Sequence, residues 1–107
     1  EPRVKKAAEL IKEIKERGFL SIAVIVFEDS VKAVVKQLEK YTEITDGSET
    51  GFQTGTMVLP VNLTKGLEFD AVILWEPDME KAKTSVKEAK LRYVAVTRAL
   101  HELHILN

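Results

Sequence analysis

The sequence predicts an α/β domain built on a mainly parallel sheet, and three observations carry that prediction. Residues 20–27 are almost entirely apolar, the pattern of a strand covered on both faces. A polar turn and an amphipathic helix follow, with Asp29 or Ser30 placed to cap it, which is half of a β-α-β unit. Two more apolar runs, residues 57–61 and 71–75, flank a short polar turn. Loops of that kind, held at the ends of buried strands beside a crevice, are where α/β domains carry chemistry.

Size and composition set the outer bounds. A chain of 107 residues is one domain on size grounds and buries roughly 65% of its unfolded surface. Apolar residues make up 45% and charged residues 31%, ordinary values for a globular fold. Sixteen basic and seventeen acidic residues leave a net charge of −1, so bulk electrostatics give no support for nucleic-acid binding by this piece alone. The absence of cysteine excludes a disulfide framework and a thiolate metal site, and fits a reducing, cytoplasmic location. No apolar run approaches the ~18–20 residues that span a bilayer, and no signal-peptide pattern is present. The chain begins at Glu1, not Met, and reads as part of something longer.

Taken in order, residues 3–17 form the first helix. Val4, Ala7, Ala8, Leu10, Ile11 and Ile14 recur at three and four, with Lys and Glu on the opposite face. Pro2 suits the first turn and Gly18 the position just past the last. After the strand at 20–27, Val31, Val34, Val35, Leu38 and Tyr41 make the buried stripe of the second helix. Glu28 and Asp29 stand at a strand end, where helix capping competes with a catalytic role. Residues 41–55 are polar, with Asp46, Gly47, Ser48 and Gly51 marking turns and residues 42–45 forming a short edge strand. A strand at 56–61 follows, with Pro60 near its end, where a missing N–H does least harm. The turn at 64–69 leads to a strand at 71–75, and residues 77–84 form a charged loop. Ser85 with Glu88 matches a capping box, so a helix runs to about Arg98, its stripe made by Leu91, Val94 and Ala95 and broadened by Tyr93 and Val96. A last strand at 101–106 closes the sheet. His101 and His104, three apart on that strand, point to opposite faces and do not share a metal.

Two stretches carry a resemblance. Residues 65–70, KGLEFD, resemble the fifth motif of superfamily-one helicases of the UvrD/Rep/PcrA type, within a segment 60–70. Residues 92–99, RYVAVTRA, resemble the sixth, within a segment 91–100. They come in the family's order, each joined to the expected strand. The resemblance implies that residues 1–107 are the second, C-terminal RecA-like domain of a two-domain motor. The implied fold is a three-layer α/β/α arrangement like that of P-loop NTPases. It further implies ATP as substrate, with Mg²⁺ held mainly by the missing N-terminal RecA-like domain of the same protein. That division agrees with the sequence, which contains no Gly-x-x-x-x-Gly-Lys-Ser/Thr loop, so this piece is expected to be inactive alone.

Residue by residue, Glu68 matches the motif glutamate that contacts the nucleotide ribose. On spacing alone it reads first as a surface carboxylate stabilising a one-turn helix. Gly66 permits close backbone approach to a ligand, and Lys65 matches the motif lysine, either tying the loop through an ion pair or meeting phosphate. Leu67 and Phe69 read as core anchors. Arg98 matches the arginine that reaches the γ-phosphate across the cleft between the motor domains, with Thr97 fixing the turn that aims it. Without the resemblance, an arginine at a helix C-terminus is a partner for the helix dipole.

Single-stranded DNA is the implied track. Family members commonly carry Thr and His ahead of the fifth motif to touch it, and Pro60 and Asn62 stand there. Asn62 retains a hydrogen-bonding side chain and Pro60 does not. Exposed aromatic platforms are not expected, since most of the seven aromatics fall on apolar stripes. About a dozen residues occupy the place where UvrD-type helicases insert an accessory domain. Two further readings stay open: a HelD-like ATPase factor that remodels RNA polymerase, and a non-catalytic α/β protein-interaction module.

Overall fold

The computed structural model describes residues 2–26, 31–47, 55–64, 66–75, 93–95 and 97–106. In chain order the elements are α1 (Pro2–Glu16), β1 (Ser21–Val26), α2 (Val31–Leu38), β2 (Thr45–Asp46), β3 (Gly55–Pro60), a 3-10 turn (Val61–Leu63), β4 (Phe69–Trp75) and β5 (Ala99–Leu106). The five strands form one sheet in the order β2-β3-β1-β4-β5, and every neighbouring pair is parallel. This is the mainly parallel α/β fold that the sequence predicts.

Helix α1 buries Val4, Ala7, Ile11 and Ile14, the inward row of its three-and-four spacing. It stops where Gly18 takes the left-handed conformation, φ 85°, with its N–H bonded to the Lys15 carbonyl at 3.0 Å. Residues 22–26 of β1 are all buried, as the central strand of a sheet covered on both faces requires. One core cluster packs α1 and α2 against Ile22, Val24, Val58, Ile73 and Trp75. The other lies on the opposite face and gathers Ala23, Ile25, Met57, Leu59, Phe69, Val72, Leu74 and Ala95. Burying this much apolar area at about 25 cal/mol per Å² is the main force holding the sheet between its two layers.

Several expectations shift. Helix α2 ends at Leu38, whose carbonyl accepts from the N–H groups of Tyr41 and Thr42 in a closing turn. Tyr41 therefore lies beyond the helix and is exposed, not part of the buried stripe. The edge strand is only Thr45–Asp46. Strand β3 ends at Pro60 and Val61 enters the 3-10 turn, while β4 and β5 each begin two residues earlier than periodicity suggests. Residues 93–95 are helical, with Ala95 buried, Val94 half-buried and Tyr93 exposed. Tyr93 thus does not broaden the buried stripe, because Val94 and Ala95 take the inward positions of that turn. Among the described residues, Tyr41 and Tyr93 are exposed aromatics, where exposed aromatic platforms are not expected. Glu28, Asp29, Ser30, the charged loop at 77–84 and the capping box at Ser85 and Glu88 lie outside the described residues. Among the described residues, no helix is long and apolar enough to cross a membrane.

Candidate functional site

The connection from β3 to β4 decides where the motif residues stand. Pro60 and Trp75 both pair with Val26 at one end of the sheet, whereas Phe69 pairs with Ala99 at the other. Residues 61–64 and 66–68 therefore lie across β1, on the face where Val61 and Leu67 pack on the second core cluster. The span is that of a six-residue strand, about 20 Å at the usual rise. Asn62, exposed in the 3-10 turn, stays at the carboxyl end of β3. Glu68 arrives at the amino end of β4.

That amino end is where Arg98 lies. The Phe69 N–H donates to the Arg98 carbonyl at 2.8 Å, which ties the residue after Glu68 to the arginine's own backbone. Glu68 is exposed and Arg98 half-buried. The structure thus brings these two predicted residues to one rim, formed by the amino ends of β4 and β5. The carboxyl ends are where open parallel sheets more often place their crevice.

The turn carrying Arg98 is braced from within. Its Nε donates to the Val94 carbonyl at 3.0 Å, and the Thr97 hydroxyl donates to the same carbonyl at 2.9 Å. The Arg98 N–H reaches the Ala95 carbonyl at 3.2 Å. Thr97 fixes this turn as expected. Ahead of Glu68, the Leu67 N–H donates to the Thr64 carbonyl at 3.0 Å and Gly66 sits at φ 78°. A positive φ is a conformation that glycine adopts freely and other residues rarely do. Thr64 is fully buried and its hydroxyl donates to the Val61 carbonyl at 2.6 Å. Phe69 is fully buried and Leu67 half-buried, the anchoring roles expected of them. Lys65 lies outside the described residues.

The sequence gives no signal for what surrounds this rim. The register shifts between Phe69 and Ala71, setting three residues of β5 against two of β4. Phe69 belongs to one core cluster and Ala71 to the other, so the alternation of β4 breaks at the same place. Bulges of this kind re-aim side chains and are frequent beside functional sites. The Asp70 carboxylate accepts from the N–H groups of Leu20 at 2.9 Å and Ser21 at 3.1 Å. The Asp70 N–H donates in return to the Ser21 hydroxyl at 3.0 Å. The Leu20 bond, then the Ser21 bond, holds the Asp70 carboxyl below its ordinary pKa.

Nearby, Arg17 grips Glu102 through two 2.6 Å bonds, and Glu102 also meets His104 Nε2 at 2.9 Å. Arg17 foremost, then His104, depresses the Glu102 carboxyl to about 2. His101 stacks on Phe19 with ring centroids 5.3 Å apart, so the two histidines serve separate neighbours. Two open clefts, of about 560 and 510 Å³, lie along the helical side near Lys12, Lys15 and Tyr41 and near Glu39, Thr45 and Thr56. Neither includes Glu68 or Arg98. Among the described residues, the rim presents the Glu68 carboxylate and the Arg98 guanidinium on open surface. Those groups suit hydroxyls and an anion respectively.

Residues 56–106 match the family described as the UvrD-like helicase C-terminal domain. The fold is similar to the crystal structure of the C-terminal domain of a possible DNA helicase from Lactobacillus plantarum WCFS1, with a TM-score of 0.82 and 28% identity. That likeness covers 96% of this chain and 65% of the other, so the chain spans about two-thirds of its structural neighbour. No curated protein sequence gives a match.

Proposed function

We propose that residues 1–107, of which 56–106 match the UvrD-like helicase C-terminal domain family, act as the second RecA-like domain of an ATP-dependent DNA helicase or translocase. The observation that carries the proposal is the 2.8 Å bond from Phe69 to Arg98, which sets the two motif segments side by side on an exposed rim. In this reading Glu68 accepts hydrogen bonds from the ribose hydroxyls of ATP. Arg98 commits its Nε to Val94, which aims the terminal nitrogens of the guanidinium toward a γ-phosphate bound on the facing domain. A fixed guanidinium stabilises charge developing on the transferring phosphoryl group, an effect of about 10³–10⁵ in rate for measured arginine fingers. One carboxylate and one guanidinium do not make an octahedral oxygen site. The proposal therefore assigns Mg²⁺ and the phosphate loop to the N-terminal RecA-like partner domain.

Asn62 is proposed to meet single-stranded DNA at the opposite end of the sheet. Loss of the γ-phosphate then changes the contacts at one end while the track is held at the other, which is how hydrolysis becomes displacement. Full-length protein with Arg98→Ala should fold normally and lose most ATP turnover; turnover equal to wild type rejects the proposal in favour of a non-catalytic interaction module.

One observation favours a second reading of the partner. Pro60 is buried as the last residue of β3, where helicases of this type carry a hydroxyl that touches DNA. A HelD-like factor acting on RNA polymerase dispenses with that contact. ATP turnover stimulated by polymerase and not by single-stranded DNA supports this second reading; stimulation by single-stranded DNA supports the first.

A further inference from the structure

We propose that Asp70 and Ser21 are positioning residues for the nucleotide rim, setting where Glu68 and Arg98 stand relative to each other. The proposal rests on the nucleotide-site reading given above. Asp70 sits two residues after Glu68, immediately after the Phe69 N–H that reaches Arg98. Its carboxylate takes two amide bonds from Leu20 and Ser21, and its own amide is returned to the Ser21 hydroxyl. The three bonds span 49 and 50 positions of sequence and close a reciprocal clasp between the feet of β1 and β4.

The bulge is what makes the clasp matter. Between Phe69 and Ala71 the register against β5 slips, so regular ladder bonding does not fix the start of β4 there. The segment is held instead on one side by Arg98 and on the other by the clasp. The chain that supplies the clasp is itself anchored, through Arg17 on Glu102 and Phe19 on His101. Charge-assisted bonds from backbone N–H groups to a carboxylate are short and directional, which suits them to fixing a backbone position. Neither residue touches nucleotide in this arrangement; both act through Glu68 and Arg98.

The test is ATPase kinetics of the full-length protein carrying Asp70→Asn, Ser21→Ala or Ser21→Thr, with Glu68→Gln as benchmark. Asparagine keeps an acceptor oxygen but loses the charge, and threonine keeps the hydroxyl. Asp70→Asn and Ser21→Ala should each raise KM for ATP between about threefold and about tenfold, as expected for weakening one or two such bonds. Ser21→Thr should restore the wild-type value. Hydrogen exchange at the amides of Phe69 and Asp70 should quicken in Ser21→Ala while thermal stability of the whole protein changes little.

A raised KM in Glu68→Gln with no change in Asp70→Asn and Ser21→Ala overturns the positioning role and leaves the nucleotide site standing. An unchanged KM in Glu68→Gln removes the site and this role with it. If Ser21→Thr behaves as Ser21→Ala, or if KM follows loss of thermal stability across the series, the clasp is only structural and the proposal fails.

Discussion

Replacing Gly66 by alanine isolates the backbone geometry on which the Glu68 loop depends. Gly66 holds φ 78°, and a Cβ built there meets nothing within 4 Å. Steric clash with neighbours is therefore absent, and the whole effect lies in the backbone. An L-residue in the left-handed region costs roughly 1–2 kcal/mol. Alanine also narrows the unfolded ensemble, which returns about 0.4–1 kcal/mol. The difference is about 1 kcal/mol of destabilisation, or a fall in Tm of about 4–8 °C for a domain near this size. D-alanine, introduced by semisynthesis, adopts positive φ without the penalty and keeps the unfolded-state gain, so it should raise Tm. Thermal unfolding followed by circular dichroism measures both. A Tm unchanged or raised by L-alanine, or equal effects of the two enantiomers, refutes the left-handed conformation of Gly66.

Three more outcomes follow from packing and charge. The Glu102 carboxyl, held near 2 by Arg17 and His104, contributes stability that is present above the ordinary carboxylate value and lost as pH falls toward 2. Glu102→Gln should flatten that acid limb in a pH series of chemical denaturation, and an unaltered limb contradicts the pairing. Ile73→Ala, at a fully buried position of β4, should cost about 2–5 kcal/mol by the same method; a loss below 1 kcal/mol means the site is not closely packed. Asn62→Ala and Glu68→Gln stand at the two ends of the sheet that the motor reading couples, so a double-variant cycle should show a coupling above about 0.5 kcal/mol between nucleotide and single-stranded DNA binding. Strictly additive effects mean that the two ends are independent and contradict the coupling that displacement requires.

What the sequence made legible is what local periodicity encodes. The inward row of α1 and the unbroken apolar run of β1 both appear where spacing and composition place them, because a helix face and a doubly covered strand impose their patterns on neighbouring residues. Fold class followed from that strand, the amphipathic helix after it and the apolar runs at 57–61 and 71–75. Tyr41 was misread because its spacing continues the α2 stripe while the helix itself closes at Leu38, a decision made by the turn and not by hydrophobicity. The rim was half legible. Its two motif residues could be named, but the bulge after Phe69 and the Asp70 clasp depend on register between strands far apart in sequence, and no local pattern records register when both faces are buried. Arg17 and Glu102, 85 positions apart, are likewise ordinary surface charges until the fold sets β5 beside the end of α1.

The central claim is that Glu68 and Arg98 face one bound nucleotide. A crystal structure of the full-length protein with a non-hydrolysable ATP analogue and Mg²⁺ tests it most directly. The account predicts a terminal guanidinium nitrogen of Arg98 at about 2.7–2.9 Å from a γ-phosphate oxygen, and the Glu68 carboxylate within hydrogen-bonding distance of a ribose hydroxyl. A bound nucleotide with both side chains turned to solvent would contradict it.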